Sequence, residues 1–102
     1  MAAKRALSMH PDDNVATAVE EIGPGDLIQV FLGKEVSTLT AAEAIPYGFK
    51  MALREIPRDA LIVKYGGTIG RAGRTIAKGE LVHVHNLEGT RARGDLEGRK
   101  ES

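Results

Sequence analysis

The chain has 102 residues, 14 Lys+Arg against 14 Asp+Glu, and no cysteine. Its length sets one small domain with a modest core. Balanced charge argues against a general nucleic-acid binder or a polybasic membrane anchor, and the missing cysteines exclude disulfides, thiolate catalysis and cysteine-based zinc sites.

Taken in chain order, the first nine residues carry two basic side chains but no apolar stretch of signal-peptide length. Nowhere does an apolar run approach the roughly 20 residues that span a bilayer. The expectation is a cytoplasmic protein with no nucleic-acid or membrane partner, whose low net charge permits close association with another protein. There is no Trp, and only Phe31, Tyr47, Phe49 and Tyr65 are aromatic, so the core must be aliphatic.

His10-Pro11-Asp12-Asp13-Asn14 is a loop. A histidine beside two carboxylates fits a His/Asp metal site. It also fits a plain turn, in which Asp and Asn bond to nearby backbone amides. The segment from Asn14 to Val19 fits a short strand or a single helical turn. A weak internal repeat comes next. Ile22-Gly23-Pro24-Gly25 feeds Asp26 to Val30; Ile56-Pro57-Arg58-Asp59 feeds Ala60 to Lys64; Ile76-Ala77-Lys78-Gly79 feeds Glu80 to Val84. Each unit is an Ile, two turn residues, a residue that tolerates positive φ, then a β-branched or Leu-rich run. The uneven spacing suits three turn-strand units in one compact β domain rather than a solenoid.

Between the units, Val36 to Thr40 has strand composition, and Thr40 to Ala44 suits a brief helix. Phe49 to Arg54 alternates with period two, placing Phe49, Met51 and Leu53 opposite Lys50, Ala52 and Arg54. Leu61 to Tyr65 and Leu81 to His85 are the firmest strands. Glycines at 66, 67, 70 and 73 predict a loop with unusual backbone angles. The Gly66-Gly67-Thr68-Ile69-Gly70-Arg71 stretch matches neither a Walker loop nor the dinucleotide fingerprint. From Gly89 onward the sequence predicts a charged, flexible tail.

Within a strand, His83 and His85 share a face and can hold half of a metal's shell or move a proton; the alternative is a half-exposed polar face. Lys50, Lys64, Arg71 and Arg74 can form a pocket for an anionic substrate, or an ordinary solvated face. The serines at 8, 37 and 102 support no Ser/His/Asp triad.

His10-Pro-Asp-Asp-Asn-Val-Ala, Lys64-Tyr-Gly-Gly-Thr-Ile-Gly-Arg and Gly79-Glu-Leu-Val-His-Val-His-Asn-Leu-Glu88 together resemble the N-terminal domain of the altronate and galactarate dehydratase family. The resemblance runs from about Met9 to Asp95, and the stretch ending in Arg91-Ala-Arg-Gly-Asp95 is its most specific part. It implies a SAF domain, a mainly β, β-clip fold, over residues 1–88, with residues 89–102 as the tail. The same domain occurs as a separate small subunit in some altronate dehydratases and in sulfolactate sulfo-lyase. The family implies β-elimination of water from a sugar acid, such as altronate or galactarate, to a 2-keto-3-deoxy acid. A divalent metal, iron or manganese, is associated with it. The resemblance further implies a large catalytic dehydratase subunit as partner, with a homo-oligomer as the other assembly.

Carried over residue by residue, the catalytic candidates are His10, His83 and His85. The metal candidates are His10, Asp13, His83 and His85, and the substrate contacts are Asn14, Lys50, Lys64 and Asn86. One departure stands out: the family has Pro-x-Gly-His-Lys where this chain has Pro46-Tyr47-Gly48-Phe49-Lys50. Phe49 cannot ligate a metal or move a proton; either the chemistry is altered or the position only packs. Three functions follow: accessory subunit of a sugar-acid dehydratase or of a sulfo-lyase, a non-catalytic sugar-acid-binding module, or a purely structural domain.

Overall fold

Glycine and proline interrupt this chain too often for a helix of useful length. Between them lie short runs of Val, Ile, Leu and Thr, which suit a pleated surface. In the computed structural model, which describes residues 3–89, these runs form strands, and no helix occurs among the described residues. The strands are β1 (Lys4–Leu7), β2 (Val15–Ala18), β3 (Leu27–Leu32), β4 (Glu35–Thr40), β5 (Lys50–Ala52), β6 (Leu61–Lys64), β7 (Gly67–Ala72), β8 (Leu81–Val82) and β9 (Leu87–Glu88). They make a six-stranded sheet in the order β4-β3-β1-β2-β5-β8 and a three-stranded sheet in the order β6-β7-β9. All pairings are antiparallel except β1 with β3. The mainly β, compact β-clip expectation holds.

Two aliphatic clusters form the core. Ile28, Val30, Ile45 and Met51 anchor the first, and Val15, Ile56, Ile62, Ile76 and Val82 the second. β2 and β5 form the wall between them. Val15 and Ala52 face the second cluster, while Ala16, Ala18 and Met51 face the first. A strand buried on both faces shows no polar alternation. That is why Val15-Ala16-Thr17-Ala18 fits strand and helical turn equally well as sequence. It also corrects the period-two reading of 49–54: Ala52 is fully buried rather than grouped with a polar face.

The repeat is real, and it has four copies rather than three. Positive φ occurs at Gly25 (84°), Asp59 (72°) and Gly79 (86°), as expected, and also at Gly48 (86°). The fourth unit is Ile45-Pro46-Tyr47-Gly48 feeding Phe49 to Ala52. Every copy makes the same bonds. The positive-φ residue donates its N–H to an alanine carbonyl: Gly25 to Ala41, Gly48 to Ala18, Asp59 to Ala72 and Gly79 to Ala52. That alanine's N–H returns to the carbonyl of the next residue, namely Asp26, Phe49, Ala60 and Glu80. The leading isoleucines pair in twos through reciprocal backbone bonds, Ile22 with Ile45 and Ile56 with Ile76. Gly79 is doubly constrained, since a Cβ there would collide with the Thr40 carbonyl oxygen.

Three expectations are corrected. The 40–44 stretch is not helical: Thr40 ends β4, and the amides of Ala41 and Ala42 donate to Asp26 and Gly79. The glycine-rich segment is not a loop but β7. Tyr65 and Gly66, both at positive φ, make a two-residue hairpin turn, and Gly70 sits where a Cβ would lie 2.5 Å from the Glu88 carbonyl oxygen. The strand expected over Leu81 to His85 is only Leu81–Val82 long, so His83 and His85 do not lie in a strand. The predicted tail, apart from Gly89, lies outside the described residues, as does the Arg91 to Asp95 motif.

Candidate functional site

The His10 loop is built around a buried carboxylate. Asp13 is 2% exposed; its Oδ1 accepts the Gly66 N–H at 2.8 Å and its Oδ2 the Met9 N–H at 3.2 Å. Burial opposes ionisation, but backbone N–H groups of Gly66, Tyr65, Met9 and His10 together outweigh it and hold the carboxyl below its ordinary value. Asn14 stitches the same loop to β6. Its Nδ2 donates to the Leu61 carbonyl at 2.9 Å and its Oδ1 accepts the Val63 N–H at 2.8 Å. Both side chains therefore act on backbone groups of the β6–β7 hairpin.

His10 itself is exposed and rests on that hairpin; a Cβ added to Gly66 would come within 2.9 Å of its ring. Its Nδ1 accepts the Asp12 N–H at 3.1 Å. In the neutral ring this bond assigns the proton to Nε2, so His10 presents an N–H donor rather than a lone pair.

Residues 83–86 form a turn. Asn86, 1% exposed, accepts the His83 N–H through Oδ1 at 2.9 Å and donates through Nδ2 to the Leu81 carbonyl at 2.8 Å. The amides of Asn86 and Leu87 both donate to the His83 carbonyl. These bonds end the strand at Val82 and remove the same-face relation expected of His83 and His85. Both histidines are exposed. The His83 ring packs on Phe49, with centroids 4.7 Å apart and planes tilted by 52°. Phe49 is half-buried against the first cluster. It packs there, against His83 and the core.

Lys50 and Lys64 lie near enough for their charges to interact. Burial, and then the ammonium of Lys64, hold Lys50 below the ordinary lysine value. Lys64 lies 4.7 Å from the centre of the Tyr65 ring. Of the four cations expected to form one pocket, Arg74 is drawn away, to Glu80 and the Thr75 carbonyl. Nor are His10, Asp13, His83 and His85 gathered into a metal centre. Among the described residues no group of three or more His, Asp or Glu is placed to hold an ion. The donor chemistry agrees: His10 offers a proton, and Asp13 is saturated by amides. These residues do not fit iron or manganese, and no step is assigned to a metal on this chain.

A cavity of about 230 Å³ opens between the His10 loop, the β3–β4 hairpin and the Lys78-Gly79 turn. His10, Asp13, Ser8, Ser37, Thr38, Arg54 and Lys78 contribute its polar lining. Of these, sequence reasoning had singled out only His10 and Asp13. Ser37 and Thr38 lie on β4, Arg54 just past β5, and Lys78 in a repeat turn. No local pattern links them, so no sequence signal existed to find them.

The family model of the altronate/galactarate dehydratase SAF domain matches residues 4–90. The chain is 36% identical over 80 residues to the (2R)-sulfolactate sulfo-lyase subunit alpha of Chromohalobacter salexigens, covering 76% of this chain and 85% of that protein. It is 35% identical over 85 residues to altronate dehydratase of Bacillus subtilis, covering 83% of this chain and 16% of that protein. It is 36% identical over 76 residues to galactarate dehydratase (L-threo-forming) of Escherichia coli, covering 74% and 14%. The chain thus spans most of the sulfo-lyase subunit but only about one-sixth of the dehydratases.

Proposed function

Because this chain belongs to the altronate/galactarate dehydratase SAF-domain family, we propose that it works as the accessory subunit of a lyase acting on a sugar acid. The observation that carries this reading is the division of labour among its polar residues. Asp13, Asn14 and Asn86 are taken up by backbone, while His10, His83 and His85 are exposed, and among the described residues no group of three or more His, Asp or Glu is gathered to hold an ion. Such a surface completes a site whose remaining parts lie on a large catalytic chain.

Elimination of water from a sugar acid requires removal of the proton α to the carboxylate and departure of the β-hydroxyl as water. On this chain Lys50 and Lys64 contact the substrate carboxylate. An anion there relieves the mutual repulsion of two ammonium groups. His83, held against Phe49, and His85 are the imidazoles this chain offers for proton transfer. A divalent metal, where the assembled enzyme uses one, is held by the partner. Localisation in the cytoplasm accords with a soluble metabolic enzyme and is part of this proposal.

A sulfo-lyase is the second reading. It is favoured by the 85% coverage of a sulfo-lyase subunit. Both readings share the test. The chain is used as bait in its native cytosol and the eluate is identified by mass spectrometry. Recovery of a large dehydratase-type polypeptide in a near-fixed ratio is expected. Turnover of altronate or galactarate against sulfolactate by that complex then separates the two. Recovery of this chain alone, at low salt with divalent metal present, overturns the reading in favour of a self-sufficient sugar-acid-binding module.

A further inference from the structure

The cavity beside His10 carries an inference separate from the Lys50–Lys64 contact and from any partner, since this chain alone forms it. Its ionic lining holds two cations, Arg54 and Lys78, against one carboxylate, Asp13. Arg54 and Lys78 are exposed, and no carboxylate lies within ion-pair distance of either among the described residues. His10 adds an N–H donor, because its Nδ1 is already occupied by the Asp12 amide. Asp13 is the one carboxylate in the lining, and the backbone amides of Met9 and Gly66 already occupy its oxygens. Hydroxyls of Ser8, Ser37 and Thr38 complete the wall. Three cationic or N–H donor side chains around one cavity, whose single carboxylate is already engaged by amides, favour an oxyanion; the flanking hydroxyls can exchange hydrogen bonds with hydroxyl groups on the same molecule. The volume falls below the about 300–1,000 Å³ of pockets that take drug-sized ligands, so the ligand is a small metabolite.

We infer that this cavity is a second binding site, for a small hydroxylated oxyanion, with Arg54 and Lys78 as its charge partners and His10 donating through Nε2. The site is assembled from the first loop, the β3–β4 hairpin, the end of β5 and the Lys78-Gly79 turn. Its occupant therefore bridges elements that are distant in sequence.

Titration of the full 102-residue chain, followed by backbone amide NMR, tests the assignment. The probes are galactarate, glycerol 3-phosphate, sulfate, and neutral galactitol. Galactarate or glycerol 3-phosphate is expected to shift the amides of Ser8, His10, Ser37, Thr38, Arg54 and Lys78. Sulfate should bind more weakly at the same place, and galactitol should not bind. Arg54→Ala with Lys78→Ala should weaken binding by about tenfold or more, loss of two charge-assisted contacts being the cause. Both residues are exposed, and unchanged amide dispersion checks that the variant folds. Galactarate preferred over glycerol 3-phosphate marks the occupant as a sugar acid, and the reverse order marks a phosphorylated polyol.

Shifts confined to the surroundings of Lys50 and Lys64, or undiminished binding by the double variant, overturn the second site. Either result leaves the accessory-subunit reading standing. Failure to recover a large partner leaves the cavity assignment standing. Silence with every probe also overturns the second site, since no partner is needed to form it.

Discussion

The two histidine-bearing turns solve the same problem over different distances. In each, one polar side chain is buried and satisfied by backbone while the histidines stay in solvent. Asp13 reaches Gly66, 53 residues away, and so ties the first loop to the β6–β7 hairpin. Asn86 reaches only three and five residues back, to His83 and Leu81, and closes its own turn. One is an ionised staple between distant elements, the other a neutral local clasp. A long-range staple fixes where two elements meet; a local clasp fixes only the course of one segment.

Removing the two staples should separate them by magnitude. Asp13→Ala strands two amides of the loop and hairpin, and should cost about 2–4 kcal/mol, seen as a lowered Tm. The Met9 amide should also lose hydrogen-exchange protection together with Gly66, since both rest on the same carboxylate. A loss confined to one of these would contradict the staple. Asn86→Ala should cost less, about 1–2 kcal/mol, with lost protection restricted to 83–87. A larger effect than that of Asp13→Ala would reverse the ranking.

pH sharpens the same contrast. The Asp13 carboxyl is held below its ordinary value of 3.8. Its contribution to stability is therefore fully present above that value and is lost as pH falls through the lower folded value. Asp13→Asn should flatten the acid limb of a Tm-against-pH curve over that window. Asn86→Ala should shift the curve down without changing its shape, because a neutral amide does not titrate. An unchanged acid limb in Asp13→Asn would remove Asp13 from the explanation. The smallest effect on folding belongs to His83→Ala, within about 0.5 kcal/mol for an exposed side chain. Turnover of the reconstituted complex should nevertheless fall by about 10²-fold or more if His83 exchanges a proton, and full activity would return His83 to a packing role.

The fold was legible where local chemistry decides. A residue must tolerate positive φ to end each Ile-led turn, and that requirement exposed three of the four units. The fourth, at Ile45, was hidden because Pro46-Tyr47-Gly48 resembles the others only once its bond to Ala18 is seen. The glycines of β7 misled for a related reason. Only Gly66 there takes positive φ, whereas Gly70 is needed for the close approach of Glu88, a distance no local pattern encodes. The site was legible in part. Lys50 and Lys64 lie near enough for their charges to interact, but the strand face expected for the histidine pair is dismantled by Asn86, which caps the chain after Val82.

The amino-acid order by itself determined an aliphatic, cysteine-free β domain, the turns that punctuate it, and membership of its family, because composition, φ preference and motif identity are properties of neighbouring residues. Tertiary structure alone decided which polar residues are consumed. Asp13, Asn14 and Asn86 look as chemically available as the histidines until the folded chain brings backbone partners beside them. Burial of Asp13 and Asn86 then forces each to bond or destabilise the fold. The cavity of Ser8, His10, Ser37, Thr38, Arg54 and Lys78 was likewise decided only in three dimensions, since its walls come from segments that no sequence period connects.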